Sequence, residues 1–324
     1  MPTIMISHKS TVLITGAAGF IGSTLADALL KKGASVIAVD NFNDYYNPRI
    51  KTRNIADALK KKTYKLYKAD IFHFLAMERV FKKEKPNIII HLAARAGVRP
   101  SLENPTLYAE VNKVGTVNLL KLAVDYKVDK FIFASSSSVY GNSKRIPFSE
   151  DDRCEFIISP YGASKRSAEI FIEMFYKMYG LKSVILRFFT VYGPRGRPDM
   201  APALFTRAVI SGEVINQFGN GTTYRDYTYI DDIIAGIEKT IEADVGFEIF
   251  NLGNNNPVSL AEFIRSLEML VGKKAKINKL PLQIGDVKKT WANIDKAKKL
   301  LGWEPKVKIN EGLKGYIEWL KKIH

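Results

Sequence analysis

Tyr161 and Lys165, in the run Tyr161-Gly162-Ala163-Ser164-Lys165, stand four residues apart near the start of a predicted helix, so their side chains share one face. A free tyrosine, with a pKa of about 10, is a poor base at neutral pH. A neighbouring ammonium stabilises tyrosinate and moves the phenol toward useful acid/base work. The run of four serines at 135–138 closes a predicted strand and can supply a hydroxyl beside that oxygen, to orient a substrate alcohol. The same spacing also suits an ordinary amphipathic helix with a solvated lysine. The serine run and a glycine-rich turn early in the chain favour the catalytic reading.

Gly16, Gly19 and Gly22 lie between a β-branched run at 11–15 and a helical pattern from Phe20 to about Lys32. Glycines there allow a tight turn and let the backbone approach a pyrophosphate held at a helix N-terminus, where free N–H groups and the dipole favour anions. Asp40 closes the next strand, 18 residues past Gly22. A carboxylate at that place accepts hydrogen bonds from adenosine ribose hydroxyls and repels a 2′-phosphate, which predicts NAD rather than NADP. The plainer reading, a tight turn with an ordinary turn aspartate, does not account for strand, glycines and acid arriving in order.

The elements that must position these groups alternate as a parallel sheet with helical crossovers requires. Strands are predicted at 11–15, 35–40, 64–70, 87–94, 130–137 and 183–188, with helices near 72–84, 106–126 and 160–179. The expected fold class is α/β, a doubly wound parallel sheet of Rossmann type with a smaller C-terminal substrate-binding lobe. The division is expected at 1–190, holding cofactor and catalytic groups, and 191–324, mainly binding substrate. The strands predicted at 214–218 and 248–251 are expected to return to the first unit.

Composition bounds the rest. With 324 residues, 46% hydrophobic and 25% charged, the chain is an ordinary folded protein rather than a disordered or low-complexity one. One cysteine, Cys154, makes neither an internal disulfide nor a cysteine-cluster metal site, and the four histidines lack metal-ligand spacing, so no metal is expected. No apolar run reaches the roughly 18 residues of a membrane span, and the opening residues lack the apolar stretch of a signal peptide. A cytoplasmic protein is expected. The net charge of +16 comes from lysines spread along the chain, without aromatic residues set among them as stacking platforms, so a solvated surface is expected and not a nucleic-acid or membrane partner.

Taken together, TGAAGFIG (15–22), DNF (40–42), ADI (69–71), HLAA (91–94), the Asn112–Gly115–Thr116 pattern, SSSSVYG (135–141), SPYGASK (159–165), RFFTVYGP (187–194), RDYTYIDD (225–232) and GDV (285–287) resemble the extended short-chain dehydrogenase/reductase family across nearly the whole chain. Within that family the likeness is to nucleotide-sugar 4-epimerases. The resemblance implies NAD contacts at Phe20, Ile21, Asp40, Asn41, Asp70, Ile71, Ala93, Ala94, Asn112 and Phe189. It also implies Ser136, Tyr161 and Lys165 as catalytic, and a homodimer paired through the helices near 106–126 and 160–179.

Relatives that dehydrate carry Asp-Glu at the positions of Ser137 and Ser138, and those that decarboxylate carry Glu at Ser138; two serines here favour plain epimerisation. The stretches 40–55 and 187–201 are similar to the branch acting on UDP-glucuronate. On that reading Thr190 and Arg197 face the sugar carboxylate, with Ser136 and Ser137 on the sugar and Arg99 a second candidate for the anionic part. Arg225 is expected on the diphosphate, and Phe218 and Asp286 on uridine. A UDP-glucose or UDP-N-acetylglucosamine 4-epimerase is the alternative, for which a small residue at Thr290 would leave room, and a non-catalytic NAD-binding regulator is the alternative of another class.

Overall fold

The computed structural model describes residues 10–281 and 287–323. The first half runs β1 (Thr11–Thr15), α1 (Phe20–Lys31), β2 (Ser35–Asp40), α2 (Pro48–Asn54), β3 (Tyr64–Lys68), α3 (Phe74–Glu84), β4 (Ile88–His91), α4 (Val98–Glu103), α5 (Pro105–Ala109), α6 (Gly115–Asp125), β5 (Lys130–Ser136), α7 (Pro160–Tyr179) and β6 (Ser183–Phe188). The second half continues with β7 (Thr190–Tyr192), α8 (Ala201–Ser211), β8 (Val214–Phe218), β9 (Tyr224–Tyr229), α9 (Ile230–Glu242), β10 (Phe247–Leu252), β11 (Pro257–Ser259), α10 (Leu260–Val271), β12 (Lys276–Leu280), α11 (Asp295–Leu301) and α12 (Ile309–Ile323).

Seven strands form one parallel sheet in the order β3-β2-β1-β4-β5-β6-β10. Its central strands are apolar on both faces, because successive side chains alternate sides and helices cover each side. Val12, Ile14, Ile88, Ile90 and Ile132 pack with α1 and α9 on one face. Leu13, Ile89, Phe131, Phe133 and Ile185 pack with α3, α6 and α7 on the other. The strand order reverses between β1 and β4, which opens a crevice at the carboxyl ends of the strands, where ligands bind in such sheets.

The six expected strands are present, with β3, β4 and β5 ending one to three residues earlier than predicted. The helix expected over 106–126 is interrupted by a π-helical turn at 110–114, which turns Asn112 inward. Of the two strands expected to return to the first unit, β10 does, pairing Phe247–Leu252 with Ser183–Phe188. The other does not: β8 pairs only with β12 in a separate two-stranded sheet. Its alternation, with Ile215 and Gln217 buried and Val214 exposed, serves a second small core of Phe205, Val209, Phe263, Leu267 and Leu313.

Candidate active site

The glycine turn is built by close backbone approach. Gly16 has φ +68°, and a Cβ on it would lie 2.8 Å from the Ala93 nitrogen; a Cβ on Gly22 would lie 2.2 Å from the Gly16 oxygen. The start of α1 is therefore held close to the end of β1 and to the chain after β4, and no side chain caps it at Gly19. Asp40 braces this turn: it accepts from the Ala18 N–H at 3.1 Å and the Phe42 N–H at 2.8 Å, with Lys51 Nζ 3.7 Å away. Asn54 of α2 donates to the Ala18 carbonyl at 3.2 Å.

This turn forms one wall of a cleft of about 790 Å³ along the ends of β1, β2, β4, β5 and β6. Gly16, Gly19, Phe20, Ile21, Gly22, Asp40, Asn41, Asp70, Ile71, Ala93 and Ala94 line one part, and Ser136, Ser137, Tyr161, Lys165, Phe189, Thr190, Arg99 and Arg197 line the rest. Asn41 donates to Asp70 at 2.7 Å, tying the ends of β2 and β3 together.

The catalytic pair is placed by α7. Ser159 caps that helix by accepting from the Gly162 N–H at 3.1 Å, with Pro160 at its first position. Tyr161 thus sits in the first turn at the cleft, half-buried, with Ser136 lining the same cleft beside it. Burial pushes the phenol up, while the Ser136 hydroxyl and the Arg197 charge pull it back down. Lys165 is 2% exposed, donates to the Ala134 carbonyl at 2.7 Å and lies 4.6 Å from the centre of the Phe133 ring. Burial pushes its ammonium down to about 7, against the Glu169 carboxylate. Ser136 Oγ accepts from the Ser138 N–H at 3.2 Å, which fixes its orientation.

Arg197 reaches the cleft from the loop after β7, but it does not stand alone. Its Nε donates to Asp199 Oδ1 at 3.1 Å, its Nη2 donates to Asp199 Oδ2 at 2.5 Å and to the Tyr45 hydroxyl at 3.2 Å, and its guanidinium lies 5.0 Å from the centre of the Tyr45 ring. Tyr45, Asp199 and Lys51 all line the cleft and escaped the sequence reading. Tyr45 and Asp199 are 154 residues apart in the chain, a separation that no local pattern signals.

Three expected residues are not in the cleft wall among the described residues. Asn112 is 1% exposed and spends its side chain on protein groups: it accepts from the Arg95 N–H at 2.8 Å and donates to the Arg95 carbonyl and to Ser164 Oγ, both at 2.9 Å. Its side chain holds the Arg95 backbone and the α7 serine together behind the wall. Phe218, at the end of β8, meets the cleft through Arg99, whose guanidinium lies 4.4 Å from the centre of its ring. Arg225 lies on β9 and donates to the Tyr224 carbonyl at 2.9 Å. Asp286 falls outside the described residues. Thr290, expected to leave an opening, is instead buried, with its hydroxyl accepting from the Asp226 N–H at 3.2 Å.

The model of the family described as GDP-mannose 4,6 dehydratase matches residues 13–316. A UDP-glucuronate 4-epimerase of Thermodesulfobacterium geofontis is 46% identical over 311 residues, covering 96% of each chain. The chain belongs to the nucleotide-sugar epimerases of the extended short-chain dehydrogenase/reductase family. A crystal structure of the UDP-glucuronic acid 4-epimerase of Bacillus cereus, in complex with UDP-glucuronic acid and NAD, superposes with a TM-score of 0.92 at 36% identity, over 97% of this chain and all of that one. A UDP-glucose 4-epimerase of Thermotoga maritima, solved with UDP-glucose, gives a TM-score of 0.89 at 36% identity over 97% of this chain and 99% of that one. The family membership accounts for the doubly wound sheet and for the clustering of serine, tyrosine and lysine at its carboxyl edge.

Proposed function

We propose that the protein interconverts UDP-glucuronate and UDP-galacturonate by epimerisation at C4, with NAD as its bound cofactor. The observation that carries this reading is that Tyr161, one helical turn from Lys165, shares a cleft with Ser136 and with the Gly16–Gly22 turn. The fit to NAD rests on that turn, where any Cβ on Gly16 or Gly22 would collide with backbone, and on the Asp40 carboxylate at the cleft edge. When bound there, NAD supplies a hydride acceptor that takes hydrogen from C4 of the sugar and gives it back.

This chain's own groups do the rest. Tyr161 removes the proton of the C4 hydroxyl as the carbonyl forms, and returns it as the carbonyl is reduced. Ser136 fixes the alcohol beside it, and the Lys165 ammonium stabilises the tyrosinate. Ser137 and Ser138 offer no carboxylate for elimination chemistry. The 4-keto uronate is a β-keto acid, prone to lose CO2; Thr190 and Arg197 hold its carboxylate away from the geometry that expels it. The unit 1–190 holds the cofactor, and 191–324 binds most of the sugar nucleotide, with Arg225 on the diphosphate and Phe218 and Asp286 on the uridine.

One observation favours a neutral sugar instead: Asp199 already engages Arg197. The two readings separate when the protein is incubated with NAD and, in turn, UDP-glucuronate, UDP-glucose and UDP-N-acetylglucosamine, with products resolved by proton NMR. Conversion of UDP-glucuronate alone to its galacto epimer, without a UDP-pentose, upholds the uronate. Turnover of the neutral sugars alone overturns it.

We infer further that the protein is a homodimer working in the cytoplasm. Ile170, Met174 and Met178 form an exposed apolar stripe along α7, with Leu102 and Val114 exposed nearby in sequence to the helices at 98–125. Among the described residues no helix is long and apolar enough to cross a membrane, and the lone Cys154 is buried as a free thiol, as a reducing compartment allows. Light scattering of the wild type and of Met174→Glu checks the dimer; a monomeric wild type contradicts it.

A further inference from the structure

Three rungs set the end of β5 against α7. Tyr161, Lys165 and Glu169 follow one another on successive turns of that helix. Tyr161 shares the cleft wall with Ser136, Lys165 Nζ donates to the Ala134 carbonyl at 2.7 Å, and Ser135 Oγ donates to Glu169 Oε1 at 2.6 Å. The first two rungs belong to the chemistry already described. The third ends on a carboxylate that does not line the cleft and is only 1% exposed.

A buried carboxylate is costly unless it is paired and hydrogen-bonded. Glu169 is paired on two sides: Arg187 of β6 donates to it from Nε at 3.0 Å and from Nη2 at 2.8 Å, and Arg166 donates from Nη1 at 3.0 Å. Arg187 stands directly across from Ser135 in the β5–β6 register. Its remaining Nη1 donates to the Tyr140 hydroxyl at 3.0 Å, which donates in turn to Asn251 Oδ1 of β10 at 2.7 Å. One carboxylate therefore fixes the ends of β5 and β6 against the helix that carries the catalytic pair.

The groups around Lys165 are few. From β4 comes His91, kept neutral by burial, with its ring nitrogens bonded to Thr15 and Thr116 at 2.7 and 3.0 Å. From β5 come the Ala134 carbonyl and the Phe133 ring. From α7 come Tyr161 and Glu169, the latter faced in turn by Arg166, Arg187 and the Cys154 thiol. Glu169 is the acid of this set.

We propose that Glu169 is a positioning residue for the Tyr161–Lys165 pair: its carboxylate keeps the Lys165 ammonium charged in its buried site and docks the Ser135–Ser136 strand end against α7. The proposal rests on the reading of Tyr161 and Lys165 as the catalytic pair. Arg187 and Arg166 neutralise Glu169 enough to bury it, and its field on Lys165 offsets part of what burial takes away.

The test is Glu169→Gln in the full-length protein with NAD. Lys165 is titrated by NMR on lysine-labelled enzyme, and kcat and KM are measured across pH. The expected result is a fall of the Lys165 midpoint by about one pH unit, an equal downward move of the alkaline limb of kcat, and a KM within about twofold, because Glu169 is outside the cleft; Glu169→Asp restores most of the shift. A midpoint that stays in place while kcat drops uniformly at all pH values overturns the proposal. If E169Q leaves Arg187 unpaired and the protein does not fold, E169Q/R187M is compared with R187M by the same two measurements, so that the two differ only in the Glu169 charge. The NMR midpoint does not depend on which sugar is turned over, so a shifted midpoint in a protein inactive on UDP-glucuronate upholds the positioning role and sinks the proposed function alone.

Discussion

Asp199 fills the guanidinium fork of Arg197 through two near-parallel bonds, 3.1 Å from Nε and 2.5 Å from Nη2. That is the geometry in which a planar guanidinium recognises any carboxylate. On the proposed reading of Arg197 the protein holds its own carboxylate where a uronate would bind, and the substrate would displace it or take the other edge of the fork. Asp199→Asn should therefore lower KM for UDP-glucuronate about fivefold or more, a change of the size that one charge-assisted bond supplies, and leave KM for UDP-glucose in place. Steady-state kinetics on both sugars check it, and an unchanged uronate KM would mean that the substrate uses the Nη1 edge.

Truncating the arginine itself separates carboxylate recognition from catalysis. Arg197→Ala is expected to cut kcat/KM for UDP-glucuronate about 10- to 100-fold, the cost of a lost charged hydrogen bond, and to let a UDP-pentose appear as the unrestrained 4-keto acid loses CO2. Turnover of UDP-glucose should change little. Equal losses on both sugars would show that Arg197 does not read the carboxylate.

The glycine turn gives a sharper prediction, because the distances leave no room to adjust. A Cβ at position 22 would lie 2.2 Å from the Gly16 oxygen and 2.9 Å from the Ala17 Cα, both backbone atoms. Gly22→Ala should push α1 away from β1 and abolish NAD binding, read as loss of the rise in melting temperature that bound ligand confers. Retention of that rise would place the cofactor elsewhere.

Much of this architecture was legible because parallel strands buried on both faces are written as short β-branched runs, and α1, α7 and the strands β1, β2 and β6 fall where the pattern puts them. The cofactor end of the site was legible for a similar reason: glycines, Asp40 and the Tyr161–Lys165 spacing are local signals. What escaped was the far side of the cleft. Tyr45 and Asp199 reach it from loops, and the Arg197–Asp199–Tyr45 cluster exists only once chain segments 154 residues apart meet; Lys51, from the seven-residue helix α2, escaped at the cofactor end beside Asp40. The partners of Asn112 are not legible either, because a buried amide looks the same in sequence whether or not it bonds the Arg95 backbone as it does here. The strand at 214–218 was assigned to the main sheet because its alternation does not say which partner it will pair with.

The second half of the chain has its own polar anchor. Asp226, on β9 and fully buried, accepts from the N–H groups of Asn254, Asn255 and Ala292 at 2.5, 3.1 and 3.0 Å. Asp226→Ala leaves three backbone donors without their partner, the Ala292 N–H buried and the other two only partly so, and should destabilise the fold by about 2 kcal/mol or more, since an unsatisfied buried group costs about 1–3 kcal/mol. Chemical denaturation monitored by tryptophan fluorescence measures it. A loss under about 1 kcal/mol would mean that water or relaxed backbone takes over the carboxylate's role.

The central claim, removal of hydrogen from C4 and its return to the opposite face at a site where Tyr161 handles the proton, is tested most directly by following a label at that carbon. UDP-glucuronate carrying deuterium at C4 is incubated in ordinary water with the NAD-loaded protein, and the product is read by NMR. The account predicts UDP-galacturonate with the deuterium retained at C4, and no turnover above about a thousandth of the wild-type rate in Tyr161→Phe. Release of the deuterium to water, or label-retaining epimerisation that persists in the phenylalanine variant, would contradict it.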